Sequence, residues 1–198
     1  MAGLLHYYAH PGHSFSHANS AMFRAAQGVE GITSVDLYHE YPRHIIRINH
    51  EQEQLTRHDV ILLQFPLFWY SAPSLIKEWI DLVFEHGFAY GEGGNQLRGK
   101  WLMLAVTASA PKDAYSPQGY QHFPLRTFLT PFEQTARLSQ MRFAAPYVLY
   151  DSQSVDPADH ANGFARLLTA IRDDEYDLER AEQAEFVTHD TLPLTQGA

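Results

Sequence analysis

Residues 60–65, VILLQF, are apolar at every position but one, and no other stretch constrains the fold as strongly. A strand apolar on both faces must be covered on both faces, which a parallel sheet sandwiched by helices achieves. The flanking chain repeats the theme. Leu4 to Ala9, 32–38, 101–107 and 145–150 also read as strands. Between them, 17–27, 51–59, 74–87, 124–138 and 156–173 have helical spacing or composition. Gly28 and Gly87 stand as helix stops, and Pro131 predicts a kink. Asp156 is placed to cap the last helix, with Pro157 in its first turn. The expected fold is α/β: a five-stranded parallel sheet with helices on both faces, in one domain.

In such a sheet ligands bind outside the carboxyl ends of the strands, near the point where strand order reverses. That rule nominates three loops before any motif is considered: 10–19, 66–73 and 107–123. The first lies within HPGHSFSHANSAM, residues 10–22, which leads into a helix. Unpaired N–H groups and the dipole at a helix start favour an anion, and Ser14, Ser16 and Asn19 add neutral donors. A capped helix start with Ser16 as the N-cap explains the same residues. A metal held by His10, His13 and His17 is disfavoured, because the loop holds no carboxylate or thiolate to complete a common ligand set. The second loop, PLFWYSAP, puts Phe68, Trp69 and Tyr70 at the mouth of the most buried strand, suiting a flat heterocycle or packing under the next helix. GNQLRGKW at 94–101 imitates a P-loop only up to its lysine; Trp101 then opens a strand, so Lys100 reads as a surface charge. The glycines of FAYGEGG (88–94) read as a turn.

Composition removes several alternatives. The 198 residues contain no cysteine, which excludes disulfides and thiolate chemistry and suits a reducing cytoplasm. No run reaches the ~20 apolar residues of a membrane span, and MAGLLHYYAH lacks the pattern of a secretory signal. The formal charge of −9 is concentrated at the end, where eight Asp and Glu face one Arg from Asp173 onward. No basic surface for nucleic acid is offered. The chain divides into a body over 1–173 and an acidic tail over 174–198, expected as a surface helix or disorder.

The stretches YAHP with SHAN (8–11, 16–19), QFPLFWYSAPSLIKEWID (64–81), FAYGEGGNQLRGK (88–100) and PFEQTARLSQM (131–141) carry a resemblance. The chain resembles the flavodoxin-like NAD(P)H:quinone oxidoreductases over about residues 4–172. It is most similar to the ancillary proteins of glutathione-regulated potassium-efflux systems, the KefF and KefG type. The resemblance implies a flavodoxin-like fold, FMN in preference to FAD, and NAD(P)H as the substrate that reduces the flavin before a quinone reoxidises it. It implies a homodimer with active sites at the subunit interface. It further implies a potassium efflux antiporter as partner, and a cytoplasmic location, peripheral on the inner membrane. A regulatory binding subunit with weak or no reductase activity is the alternative.

Carried over by position, His10, Ser16, His17, Ala18 and Asn19 would hold the flavin phosphate. Pro66, Leu67, Phe68 and Trp69 would line the isoalloxazine, and Val106, Thr107, Ala108 and Ser109 would meet its polar edge. Two departures stand out. The family has Thr-Thr-Gly-Gly after the fourth strand where this chain has Thr107-Ala108-Ser109-Ala110. If those glycines take positive φ or allow close backbone approach, the replacements are expected to be strained or to crowd the ring. The loop YSPQGYQH (115–122) resembles the family's catalytic loop, making Tyr115 and His122 the candidates for stabilising charge, with the histidine one residue late.

Overall fold

The VILLQF run takes the centre of the sheet. In the computed structural model, which describes residues 3–195, β3 (Val60–Pro66) is buried throughout and lies between β1 (Leu4–Tyr8) and β4 (Trp101–Thr107). β2 (Thr33–Asp36) flanks β1 at one edge. All pairings are parallel, and the order β2-β1-β3-β4 continues into a divided fifth position. There, β5 (Arg142–Phe143) and β6 (Tyr147–Leu149) both pair with β4, interrupted by Ala144-Ala145-Pro146. Of the strand expected over 145–150 only Tyr147–Leu149 forms; β5 precedes that range, and Pro146, with no N–H to give the ladder, stands between the two short pieces. This is the flavodoxin-like order, with its switch point between β1 and β3.

Strand alternation sorts the core into two layers. Leu5, Tyr7, Ile61, Leu63, Phe65 and Val106 face α4 (Ser74–Val83), α5 (Thr130–Leu138) and α3 (Ile48–Arg57). Leu4, Leu62, Met103 and Ala105 face α1 (Ala18–Gln27) and α6 (Pro157–Arg172). Asp156 does cap α6, its carboxylate accepting the Ala158 N–H at 2.9 Å. Asp36, expected inside a strand, instead ends β2 and caps the short α2 (Leu37–Glu40) through the N–H groups of Tyr38 and His39. Pro131 starts α5 rather than kinking a longer helix, because its missing N–H costs nothing in a first turn.

α3 is less superficial than its polar composition suggests. Its Glu51 is buried and accepts from the Tyr7 and Tyr41 hydroxyls and from Trp79 Nε1 at 3.0 Å, so the carboxylate is satisfied within the core. Burial and the adjacent Glu51 push the Tyr7 hydroxyl far up, and Tyr41 to about 12. Lys100 is a clamp rather than a free surface charge. Its Nζ donates to the carbonyls of Thr56 (3.0 Å) and His58 (2.7 Å), closing the C-terminal end of α3.

The segment expected as a loose acidic end packs on the body as far as residue 195, while 196–198 lie outside the described residues. Tyr176, Ala181 and Val187 are buried, the second of them within α7 (Leu178–Glu182). Val187 extends the sheet at β6, taking the Val148 N–H on its carbonyl and donating to Pro146 O. Its acidic groups find basic partners on the body: Arg142 holds Glu179 and Glu182. The three buried residues are spaced by five and then six positions, which matches neither the helix nor the strand period. No helix among the described residues is long and apolar enough to cross a membrane.

Candidate functional site

The carboxyl ends of β1, β3 and β4 and the start of α1 enclose a cavity of about 590 Å³. That size lies within the range of roughly 300–1,000 Å³ usual for small-molecule sites, and the position is the β1/β3 switch point. From the first loop it gathers His10, Ser16, His17, Ala18 and Asn19, together with Gly12 and Phe15. Ala18 and Asn19 open α1, so their N–H groups have no carbonyl to bond within the helix. His17, not Ser16, occupies the N-cap position, and its side chain makes no capping bond. Ser16 works from one residue further out, its Oγ accepting the Ser20 N–H at 3.2 Å. His10 Nδ1 accepts the Gly12 N–H at 3.1 Å, so a neutral ring carries its proton on Nε2. Its edge meets the ring of Phe68 at 5.4 Å.

Pro66, Leu67 and Phe68 supply the second wall. The Leu67 N–H bonds Thr107 O at 2.8 Å and ties this loop to the third. Phe68 and Ser71 then exchange two backbone bonds around a two-residue turn, with Trp69 at φ +48° and Tyr70 at φ +64°. Positive φ at both central residues defines the type I′ turn, a geometry that favours Asn-Gly. Here it carries two bulky aromatics. Trp69 stands 93% exposed at the tip and does not line the cavity.

The third wall comes from Thr107 and Ser109. Val106 and Ala108 are buried in the core beneath it, so their side chains do not reach the cavity. The expected strain is absent: Ala108, Ser109 and Ala110 are not among the residues with positive φ. The loop is secured by Ala108 N–H to Leu149 O (2.8 Å) and by Ser152 and Asp151 N–H groups on Ala108 O and Ala110 O (both 3.0 Å). With its methyl in the core, Ala108 does not crowd the cavity. Ser152 and Gln153, which sequence reading missed, complete this side. They follow the last strand, and the carboxyl-end rule applied to that strand would have nominated them.

Tyr115 and His122 lie elsewhere. Tyr115 lines a neighbouring cavity of about 560 Å³, with Lys112, Tyr150 and Phe186 among its walls. Its ring packs near Tyr150 (5.8 Å) and Phe128 (6.4 Å), and burial raises its hydroxyl above the ordinary tyrosine value. Gly119 closes that loop where any Cβ would come within 2.2 Å of Ala114 O. His122 is exposed at φ +62° and lines neither cavity. Among the described residues no three or more His, Cys, Asp or Glu are grouped to hold a metal ion; the His13 side chain lies outside that description.

Comparison with known proteins points to the same fold. The Flavodoxin_2 family, described as a flavodoxin-like fold, matches residues 3–173. The glutathione-regulated potassium-efflux system ancillary protein KefG of Cronobacter sakazakii is 42% identical over 170 residues, spanning 84% of this chain and 92% of that protein. Among solved structures, general stress protein 14 from Treponema denticola, in complex with FMN, superposes with a TM-score of 0.78. It has 31% identity and covers 87% of this chain and 98% of its own. An NADPH-quinone reductase from P. pentosaceus gives a TM-score of 0.75 at 26% identity, over 86% and 97%.

Proposed function

Because this chain belongs to the flavodoxin-like fold family and is kin to the KefG ancillary proteins, we propose that it is an FMN-dependent NAD(P)H:quinone oxidoreductase. On this reading it serves as the ancillary subunit of a potassium efflux antiporter, on the cytoplasmic face of the inner membrane. The observation that carries the reading is the switch-point cavity, whose described lining contains no carboxylate, lysine or arginine. At its α1 end the chain offers helix N–H groups, the Ser16 hydroxyl and histidine rings, a donor set that fits a phosphate without a neutralising cation. The FMN-bound neighbour and the quinone reductase neighbour support the same ligand and reaction class.

The flavin would supply the two-electron chemistry, drawing on NAD(P)H and delivering to a quinone. The chain's own residues bind and orient. Ser16, His17, Ala18 and Asn19 would hold the phosphate; Pro66, Leu67 and Phe68 would flank the ring; Thr107 and Ser109 would meet its polar edge. Tyr115 and Trp69, beside rather than within the cavity, would act on the open side, where NAD(P)H and quinone take turns. A homodimer would bring a partner's surface to that same side.

Purified protein should therefore carry a visible flavin absorbance that NAD(P)H bleaches and a quinone restores. Ser16→Glu puts a carboxylate against the phosphate subsite and should expel FMN while leaving the far-ultraviolet dichroism unchanged. Unaltered FMN affinity in that variant would remove the α1 loop from the site. Colourless protein that ignores added FMN yet co-purifies with the antiporter would favour the regulatory alternative.

A further inference from the structure

One chain of hydrogen-bonded polar groups, buried beyond its first member, crosses the α1 face of the sheet and ends at the cavity. Ser34 Oγ on β2 lies 2.8 Å from His6 Nδ1 on β1. His6 Nε2 lies 3.0 Å from Gln64 Oε1 on β3. Gln64 Nε2 donates to both the main-chain carbonyl (2.8 Å) and the Oδ1 (3.0 Å) of Asn19 on α1. Asn19 Nδ2 donates to Thr107 Oγ1 at 2.5 Å. His6, Gln64, Asn19 and Thr107 are all buried, and the rings of Phe23 and Phe164 enclose His6.

Every direction in this chain follows from one atom. A main-chain carbonyl can only accept, so the Gln64 atom facing Asn19 O must be the NH₂, and Oε1 must face His6. His6 then carries its proton on Nε2 and takes the Ser34 hydroxyl hydrogen on Nδ1. In the other direction Asn19 accepts on Oδ1, which leaves its NH₂ to face Thr107. Thr107 Oγ1 therefore accepts, and its own hydrogen must point away from Asn19. Among the described residues that oxygen makes no other hydrogen bond, and Thr107 lines the cavity.

We propose that His6, Gln64 and Asn19 are positioning residues that hold the Thr107 hydroxyl as a donor into the switch-point cavity, so that the ligand group lodged there must be an acceptor. The inference rests on the flavin reading for its ligand: the group is then a carbonyl oxygen or unprotonated nitrogen of the flavin's polar edge. Burial, which holds the His6 ring at about 4, keeps the first link neutral and its tautomer single. A relay of amides cannot pass a proton along readily, so its role is orientation.

The test is a titration of apoprotein with FMN, read by quenching of flavin fluorescence, on wild type and on the Gln64→Met and Thr107→Val variants singly and together. Each single change should weaken FMN binding about tenfold, the scale of one lost hydrogen bond, and the pair should cost little more than one alone. Thr107→Ser, which keeps the hydroxyl, should restore most of what Thr107→Val loses; equal loss in both overturns the donor role. Additive losses from Gln64→Met and Thr107→Val would overturn the relay while leaving FMN in place. A wild type that leaves FMN fluorescence unquenched would instead sink the flavin reading and this role with it. Because Gln64→Met risks the fold, long-range proton–nitrogen spectra of unaltered apoprotein at neutral pH give a separate reading. They should show His6 neutral with Nε2 protonated, and a proton on Nδ1 would overturn the proposed direction.

Discussion

His6 sits in a strand where a leucine would pack more cheaply, and its cost has a signature in pH. Burial lowers the ring's pKa to about 4, against about 6.5 in an unfolded chain, with the Gln64 hydrogen bond recovering part of the difference. Between those values the unfolded state binds more protons than the folded one, so stability falls as pH falls. The contribution is whole above about pH 7, begins to go as pH drops through 6.5, and is spent near 4. Its size is on the order of 3 kcal/mol. Urea unfolding from pH 7 to 4 should show this loss, and His6→Asn should be less stable at pH 7 but lose less toward pH 4. An acid slope identical in the variant would assign the loss to other groups. A histidine in the LLHYY strand is visible in the sequence, yet its partners are not, since Ser34, Gln64 and Asn19 converge only after β1 has neighbours on both sides.

At the scale of elements, what was legible is what announces itself by period or by run. VILLQF at the centre, the wide apolar face of α4 and the Asp156 cap all appear where the chain's pattern puts them. What escaped depends on the rest of the molecule. The fifth strand breaks because Pro146 interrupts a ladder that only β4 can offer. The C-terminal segment is ordered by edges it must find: Val187 by the open side of β6, Glu179 and Glu182 by Arg142, and the Ala184 and Glu185 carbonyls by Arg126. The same holds for the site. Ten of the thirteen residues assigned to the flavin line one cavity, and the other three stand outside its lining for local reasons. Val106 and Ala108 alternate inward with the strand, and Trp69 is turned out by its own loop. Because Val187 is 2% exposed and bridges Tyr147, Val187→Asp should destabilise the whole domain by about 2–4 kcal/mol. A single unfolding transition shifted to lower urea is the expected result; an unshifted main transition would mean that the segment is stabilised apart from the sheet.

Across the whole molecule, the exposed aromatics are not scattered. Phe15 (87% exposed) and Phe68 line the switch-point cavity, and the turn after Phe68 carries Trp69 and Tyr70. Tyr70 then packs on Phe128 at 4.9 Å, which in turn touches Phe123 at 6.1 Å, itself half exposed. The rim runs from the cavity across the carboxyl end of the sheet. Contiguous apolar rims of this kind mark contact surfaces, and under the homodimer proposed above the occupant would be a second copy of the chain. The Trp69-Tyr70 turn gives the idea a sharper edge. Left-handed backbone at a bulky residue costs about 1 kcal/mol or more, and Trp69 gains almost no burial in return within one chain. Trp69→Asn should relieve that cost, since asparagine tolerates positive φ at this turn position. The isolated chain should therefore unfold at higher urea by about 0.5–1 kcal/mol. If Trp69 is a dimer anchor, the same substitution should weaken self-association in sedimentation equilibrium, so that stability at low concentration and assembly move in opposite directions. A wild type that stays monomeric at concentrations well above those used for activity, with Trp69 fluorescence unchanged by dilution, would leave the rim without its second copy. The strained turn would then have to be explained by what approaches the open face of the cavity.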